Sequence, residues 1–196
     1  MNGFATKSGC QKSLGGYNIP DEWWSRRYEY PWAAKFIRMN DVVVDAGCGI
    51  THFFKYWLAE HARRVYAVDT DMRLLSLKHK HPNLELVQAS LTDMPIETES
   101  VDKIVCISVL EHMKDLQGAL AEFDRVLKRT GWVIVTLDVP TIRLPAWRNA
   151  VAHSIFSFAG RVRWSRPADI LVEPAAHAKQ VQSSTRRMVF CCVLRK

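Results

Sequence analysis

The 196-residue chain suits one domain with one core, and its 48% hydrophobic content is enough to fill that core. No run of about 18 or more apolar residues marks a membrane-spanning helix, and the N-terminus lacks the basic-then-apolar pattern of a signal peptide. The formal charge of +7 is concentrated after Thr141, where ten Lys or Arg face two acids, Asp169 and Glu173. That segment reads either as a contact for nucleic acid or another anionic partner, or as an ordinary solvated surface. The five cysteines form no C-x-x-C pair, so no zinc site is expected, and they read as reduced thiols of a cytoplasmic protein.

Met1 to Gly16 is polar and without period, and reads as a loose arm. The segment Ile19 to Trp32 is dense in aromatics. Asp21 is placed to cap a short helix, and Tyr30-Pro31 to end it, because the residue before a proline is pushed out of helical geometry. A second short helix is expected from Pro31 to Met39. Residues 1–40 thus form an arm and an aromatic helical cap, and residues 41–196 an α/β unit.

In that unit, strands and helices alternate. Val42-Val43-Val44 is a buried-type strand, and Thr51 to Ala62 a helix with Phe54, Trp57 and Leu58 inward. Val65–Val68 is the next strand, followed by a helix from the Asp71 cap to about Lys80 with Leu74, Leu75 and Leu77 inward. Leu84–Val87 and Lys103–Ile107 are further strands. A long amphipathic helix reaches Leu127, and Trp132–Leu137 is a fifth strand. Beyond it, a helix over 145–158 and a terminal strand over 188–194, antiparallel to the rest, complete the reading. Adjacent Cys191 and Cys192 on that strand would point to opposite faces. Such alternation implies a doubly wound, mostly parallel sheet covered by helices on both faces.

The first strand ends at Asp45, and Ala46, Gly47, Cys48 and Gly49 follow. Glycine here lets the backbone turn tightly and approach a ligand closely, at the strand end where such sheets bind ligands. The nicotinamide fingerprint G-x-G-x-x-G would need glycine where His52 stands, and no phosphate-cradling G-x-x-x-x-G-K-[ST] loop is present. Asp69 ends the second strand, 24 positions after Asp45. An acid there either accepts hydrogen bonds from ribose hydroxyls or caps the next helix, a role that Asp71 suits better.

The run Val42 to Gly49 resembles the first motif of class I S-adenosylmethionine-dependent methyltransferases, although Thr51 stands where that family often has a third glycine. The stretch Ser100 to Met113 is similar to its fourth-strand motif. Across Asp41 to Leu137 the resemblance implies a small-molecule methyltransferase with S-adenosylmethionine as cofactor and S-adenosylhomocysteine as product. It implies that Asp45 to Gly49 wrap the cofactor, that Asp69 and Thr70 meet its ribose, and that Ile107 and Ser108 line it near the sulfur. The family's adenine-binding acid is replaced by Ser90, with Leu91 beside it and Asp93 as a substitute carboxylate. Upstream, Tyr28, Tyr30, Arg26 and Arg27 are placed to reach the methionine carboxylate if the aromatic segment folds back as a lid. The alternative for that segment is a plain edge cap. His112, just past the fourth strand, is either a base or a polar helix-entry residue. Ile107-Ser108-Val109-Leu110 is not the [ND]-P-P-[YF] motif of adenine and glutamine nitrogen methyltransferases. An O, N or C atom of a small molecule remains the expected acceptor, with a nucleic acid or a non-catalytic cofactor-binding role as alternatives.

Overall fold

The structure, a computed structural model, describes residues 10–140, 153–161, 165–172 and 187–196. The chain opens with a small antiparallel hairpin, β1 (Ser13–Leu14) and β2 (Tyr17–Asn18), joined by Gly15 and Gly16. The end of the expected loose arm is therefore ordered, while its first nine residues lie outside the described ones.

One helix, α1 (Arg26–Ala34), stands where two were expected, and Pro31 lies inside it. Proline cannot donate to the carbonyl four residues earlier. That carbonyl, of Arg27, instead accepts the backbone N–H of Gln11 at 3.0 Å, which removes one cost of the proline. Packing of Tyr30 supplies the rest: its ring is buried and stacked on Phe54, with centroids 4.5 Å apart. Asp21 caps nothing; it pairs with Arg27.

The body is a seven-stranded sheet. Its strands are β3 (Val42–Ala46), β4 (Arg64–Asp69), β5 (Leu84–Gln88), β6 (Val101–Ile107), β7 (Leu127–Pro140), β8 (Ser165–Val172) and β9 (Arg187–Arg195). The order is β5-β4-β3-β6-β7-β9-β8. The first five are parallel, and β9 runs antiparallel to both β7 and β8. The antiparallel terminal strand agrees with the sequence reading; β8 was not expected. The order reverses between β3 and β6, which places a crevice at the carboxyl ends of those two strands.

Strand alternation sorts the core into two layers. On one face Val42, Val44, Ile104, Cys106, Val133 and Val135 pack against α3 (Leu116–Val126) and α4 (His153–Arg161). On the other, Val43, Val65, Ala67, Val105 and Ile134 pack against α1 and α2 (Phe54–His61). Cys192 belongs to the first layer and Cys191 to the second, as their adjacency on a strand required.

Two expected helices are shorter. The helix after β4 is a single 3-10 turn, Met72–Ser76, which Asp71 does cap by accepting the Arg73 N–H at 2.9 Å. Only Leu74 of its leucines is buried, and Leu75 is 61% exposed, because one turn presents a single residue inward. The helix leading to Leu127 begins only at Leu116, after a separate 3-10 turn, Leu110–His112. Asp115 caps it by accepting the Gly118 N–H at 2.8 Å. Of the helix expected over 145–158, residues 145–152 lie outside the described ones.

Candidate cofactor site

The loop after β3 turns on two glycines. Gly47 has φ +74 and Gly49 φ +63, left-handed values that a side chain disfavours. A Cβ on Gly47 would lie 2.5 Å from the Val109 side chain, so only glycine lets Val109 pack this closely on the loop. The N–H groups of Gly47 and Cys48 both donate to Val68 O, at 2.8 and 3.1 Å, which ties the loop to the end of β4. Thr51 causes no difficulty: among the described residues the non-glycine positions with positive φ are Glu99 and Ser108.

Asp69 closes the other side of the loop. Its Oδ2 accepts the Gly49 N–H at 2.8 Å, and its Oδ1 accepts the Asp71 N–H at 3.0 Å. Each oxygen keeps a lone pair for a further donor, such as a ribose hydroxyl. Beside it, Thr70 is exposed, and its carbonyl accepts from the Gln88 side chain at 3.2 Å.

A buried lysine that sequence reasoning missed holds this loop from behind. Lys55, in the first turn of α2, is fully buried. Its Nζ donates to Gly49 O at 2.8 Å, to His52 O at 2.5 Å and more weakly to Ile50 O at 3.4 Å. Helix α2 starts at Phe54, later than expected, so these carbonyls have no helical partners; the ammonium satisfies them instead. The signal was available: Lys55 adjoins Phe54, Trp57 and Leu58 on the apolar side of α2. Burial pushes its pKa down.

Asp45 lies at the floor of the loop, buried. Burial pushes its pKa up to about 7; the Lys55 charge opposes the rise and the Asp69 charge adds to it. Its Oδ2 has no hydrogen-bond partner among the described residues. A buried carboxylate oxygen without a partner is costly, and a cationic or N–H-bearing ligand group would relieve it. Ala46 and Cys48 are buried beside it, and burial raises the Cys48 thiol.

Helix α1 completes the wall. The Tyr30 hydroxyl meets His52 Nδ1 at 2.9 Å, and the Trp23 ring lies 4.4 Å from the His52 ring. Burial, with the nearby Arg26 and Lys55 charges, pushes His52 down to about 4. Arg26 donates to Glu29 Oε2 at 2.5 Å, and Glu29 Oε1 accepts from Ser108 Oγ and Thr136 Oγ1, each at 2.6 Å. Of the four upstream residues singled out, Arg26 and Tyr30 come to the site. Arg27 is engaged with Asp21 and Ile19 O, and Tyr28 with the Cys10 thiol, which together with burial raises its hydroxyl.

The remaining expected residues are spread along the strand ends. Ile107 and Ser108 are buried at the exit of β6, and Ser108 takes φ +51 while its N–H donates to Thr136 O at 2.9 Å. Ser90 and Asp93 are exposed and bridge each other in the turn after β5. Ser90 Oγ accepts the Thr92 N–H at 3.2 Å. Leu91 is buried in the core layer that faces α3. His112 is exposed on its 3-10 turn. Asp102 is structural: it accepts the Val42 N–H at 2.8 Å and pairs with Lys128.

A parallel sheet with a reversal at β3/β6, a two-glycine loop there and an acid closing it from the next strand define a class I methyltransferase fold with a cofactor crevice. Residues 44–135 match the family model described as a methyltransferase domain, a match that supports a class I S-adenosylmethionine-dependent methyltransferase assignment. It is 33% identical over 129 residues to a protein of Mycobacterium tuberculosis described as a probable S-adenosylmethionine-dependent methyltransferase. That match covers 62% of this chain and 46% of the relative. It is 24% identical over 107 residues to a ubiquinone/menaquinone biosynthesis C-methyltransferase of Campylobacter jejuni, covering 51% and 46%. The chain thus spans about half the length of the curated relatives it matches. Among solved structures, a SAM-dependent methyltransferase from Aquifex aeolicus superposes with a TM-score of 0.64 at 15% identity, over 85% of this chain and 89% of that one. That likeness is one of fold.

Proposed function

We propose that the protein transfers a methyl group from S-adenosylmethionine to an O, N or C atom of a small-molecule acceptor. The observation that carries this reading is the joint geometry of Gly47, Gly49 and Asp69 around the unpartnered oxygen of buried Asp45. When bound, the cofactor supplies an electrophilic methyl group on a sulfonium. The protein then has mainly to align the nucleophile with it and exclude water. Asp69 offers its free lone pairs to the ribose, with Thr70 alongside. Asp45 faces the methionine ammonium, and Arg26 the methionine carboxylate. Ala46, Cys48, Ile107 and Ser108 form the floor, and Ser90, Leu91 and Asp93 the adenine end. Tyr28 stays bonded to Cys10, and Tyr30 takes its place against the loop.

Catalysis in this reading rests on alignment, and the exposed His112 contributes modestly at most. Residues 10–40 serve as a cap on the α/β unit. The relative named for quinone biosynthesis supports a small-molecule acceptor. Five free cysteines fit a reducing, cytoplasmic setting, and among the described residues no helix is long and apolar enough to cross a membrane.

The test is incubation with methyl-labelled cofactor and a lysate divided into small molecules, RNA and protein. Label in the small-molecule fraction is expected. Label in RNA would instead assign the basic residues after Thr141 to a nucleic-acid substrate. No label in any fraction, with the cofactor bound, would make the protein a non-catalytic binder.

A further inference from the structure

Helix α1 carries into the site a carboxylate that the glycine loop itself does not use. Glu29 is fully buried, and all its bonds go to groups far apart in the chain or to its own helix. Ser108 and Thr136 hold one oxygen, and Arg26 holds the other. Ser108 follows the last residue of β6, and Thr136 pairs with Ile107 in register. The carboxylate therefore bridges the exit of β6 and the neighbouring residue of β7, one strand over from the glycine loop on β3.

Burying such a group costs several kcal/mol of desolvation, roughly what its bonds return, and an apolar side chain would dock α1 on the sheet without that cost. Docking alone does not account for Glu29. What the carboxylate adds is control of Arg26. An arginine side chain has many rotamers, and a partner fixed to two strands removes most of that freedom. Arg26 is held where its side chain is 17% exposed, with its guanidinium 6.0 Å from the Tyr30 ring centroid. There its charge acts on Asp45, His52 and Glu111, the groups that face it from the loop after β3 and from the turn after β6. Its Nη1 is bonded to Glu29 Oε2 and, at 3.3 Å, to Ser25 Oγ, and the Nε and Nη2 of the planar fork carry further N–H donors.

We propose that Glu29 is a positioning residue: it fixes the Arg26 guanidinium at the strand ends so that it receives the carboxylate of the cofactor's amino-acid end. This rests on the reading above, that S-adenosylmethionine occupies the loop. Two ligands separate the possibilities. S-adenosylhomocysteine carries the amino-acid end, and 5′-methylthioadenosine has the same nucleoside without it. Glu29→Gln keeps an amide oxygen for the Ser108 and Thr136 hydroxyls but removes the charge that holds Arg26. By calorimetry, it is expected to weaken S-adenosylhomocysteine about tenfold and to leave 5′-methylthioadenosine within about twofold, the scale of one charge-assisted bond. Arg26→Met should give the same pattern. The double variant should bind no more weakly than Arg26→Met alone, because the two act as one unit. Equal loss for both ligands would make Glu29 a plain packing anchor and overturn the proposal. So would unchanged S-adenosylhomocysteine binding, or additive losses in the double variant. A wild-type protein that binds neither ligand would overturn the cofactor reading itself. A wild type that binds both, with an unchanged affinity ratio in Glu29→Gln, would overturn the role of Glu29 alone.

Discussion

The loop after β3 and the turn after β5 both follow the carboxyl ends of parallel strands, and they are built differently. The first is braced from three sides: by Val68 O, by the Asp69 carboxylate and by the buried Lys55 ammonium. The second is an exposed turn held by the Ser90 hydroxyl on Thr92 and by a backbone bond from Asp93 N–H to Ser90 O. Leu91 and Met94 anchor it to the core, and at its far end the Met94 N–H donates to Glu122 Oε1 at 2.7 Å. The contrast teaches where tolerance lies. A ligand group at the glycine loop meets main chain fixed by buried charge, whereas one at the Ser90 turn meets side chains that can be exchanged.

The sharpest way to break the contrast is at Gly47. Gly47→Ala places a Cβ against Val109 in a left-handed backbone, so strain and overpacking add. We expect a loss of about 2–4 kcal/mol in urea unfolding and no measurable binding of S-adenosylhomocysteine. Lys55→Met comes next. It leaves Gly49 O and His52 O without their donor, and should cost about 2–3 kcal/mol in the same measurement. Lys55→Arg, which keeps the charge, should recover part of that.

A smaller effect sharpens the electrostatic side. Burial raises Asp45 from the usual carboxylate range to about 7. Stability that comes from keeping Asp45 protonated is therefore complete below about pH 4 and is lost as pH rises through 7. Ligand binding has the opposite sign, because a cationic ligand favours the ionised carboxylate. Affinity for S-adenosylmethionine should thus rise between about pH 6 and pH 8, by up to about tenfold. Asp45→Asn should flatten that profile, and Lys55→Met should move its midpoint upward, since the ammonium opposes the shift. A profile that is flat in the wild type would place Asp45 away from the ligand. The smallest effect belongs to the turn after β5: Ser90→Ala should change affinity by less than about 1 kcal/mol, the worth of one neutral hydrogen bond. A larger loss would show that the Ser90 turn tolerates exchange no better than the glycine loop does.

The same contrast decides what could be read without a structure. Gly47, Gly49 and Asp69 were legible because backbone turns demand glycine and strand ends place acids, both local requirements. Lys55 was not, because a lysine on a helix ordinarily reads as solvated; its apolar neighbours were the clue. Glu29 was beyond reach, since its partners lie 79 and 107 positions away and no periodicity records such contacts. Pro31 misled for a related reason. The proline rule is local, while the Gln11 bond and the packing of Tyr30 that override it are not. The parallel sheet was plain from alternation, but β8 falls where the rhythm of the sequence weakens.

Titration calorimetry with S-adenosylhomocysteine will show whether Asp69 and the two-glycine loop bind the adenosyl cofactor. Saturable binding to the wild-type protein is expected, weakened by about 1.5–3 kcal/mol in Asp69→Ala, the scale of hydrogen bonds to a charged group. No heat and no thermal shift with the wild type, or an Asp69→Ala variant that binds as tightly as its parent, would contradict that role.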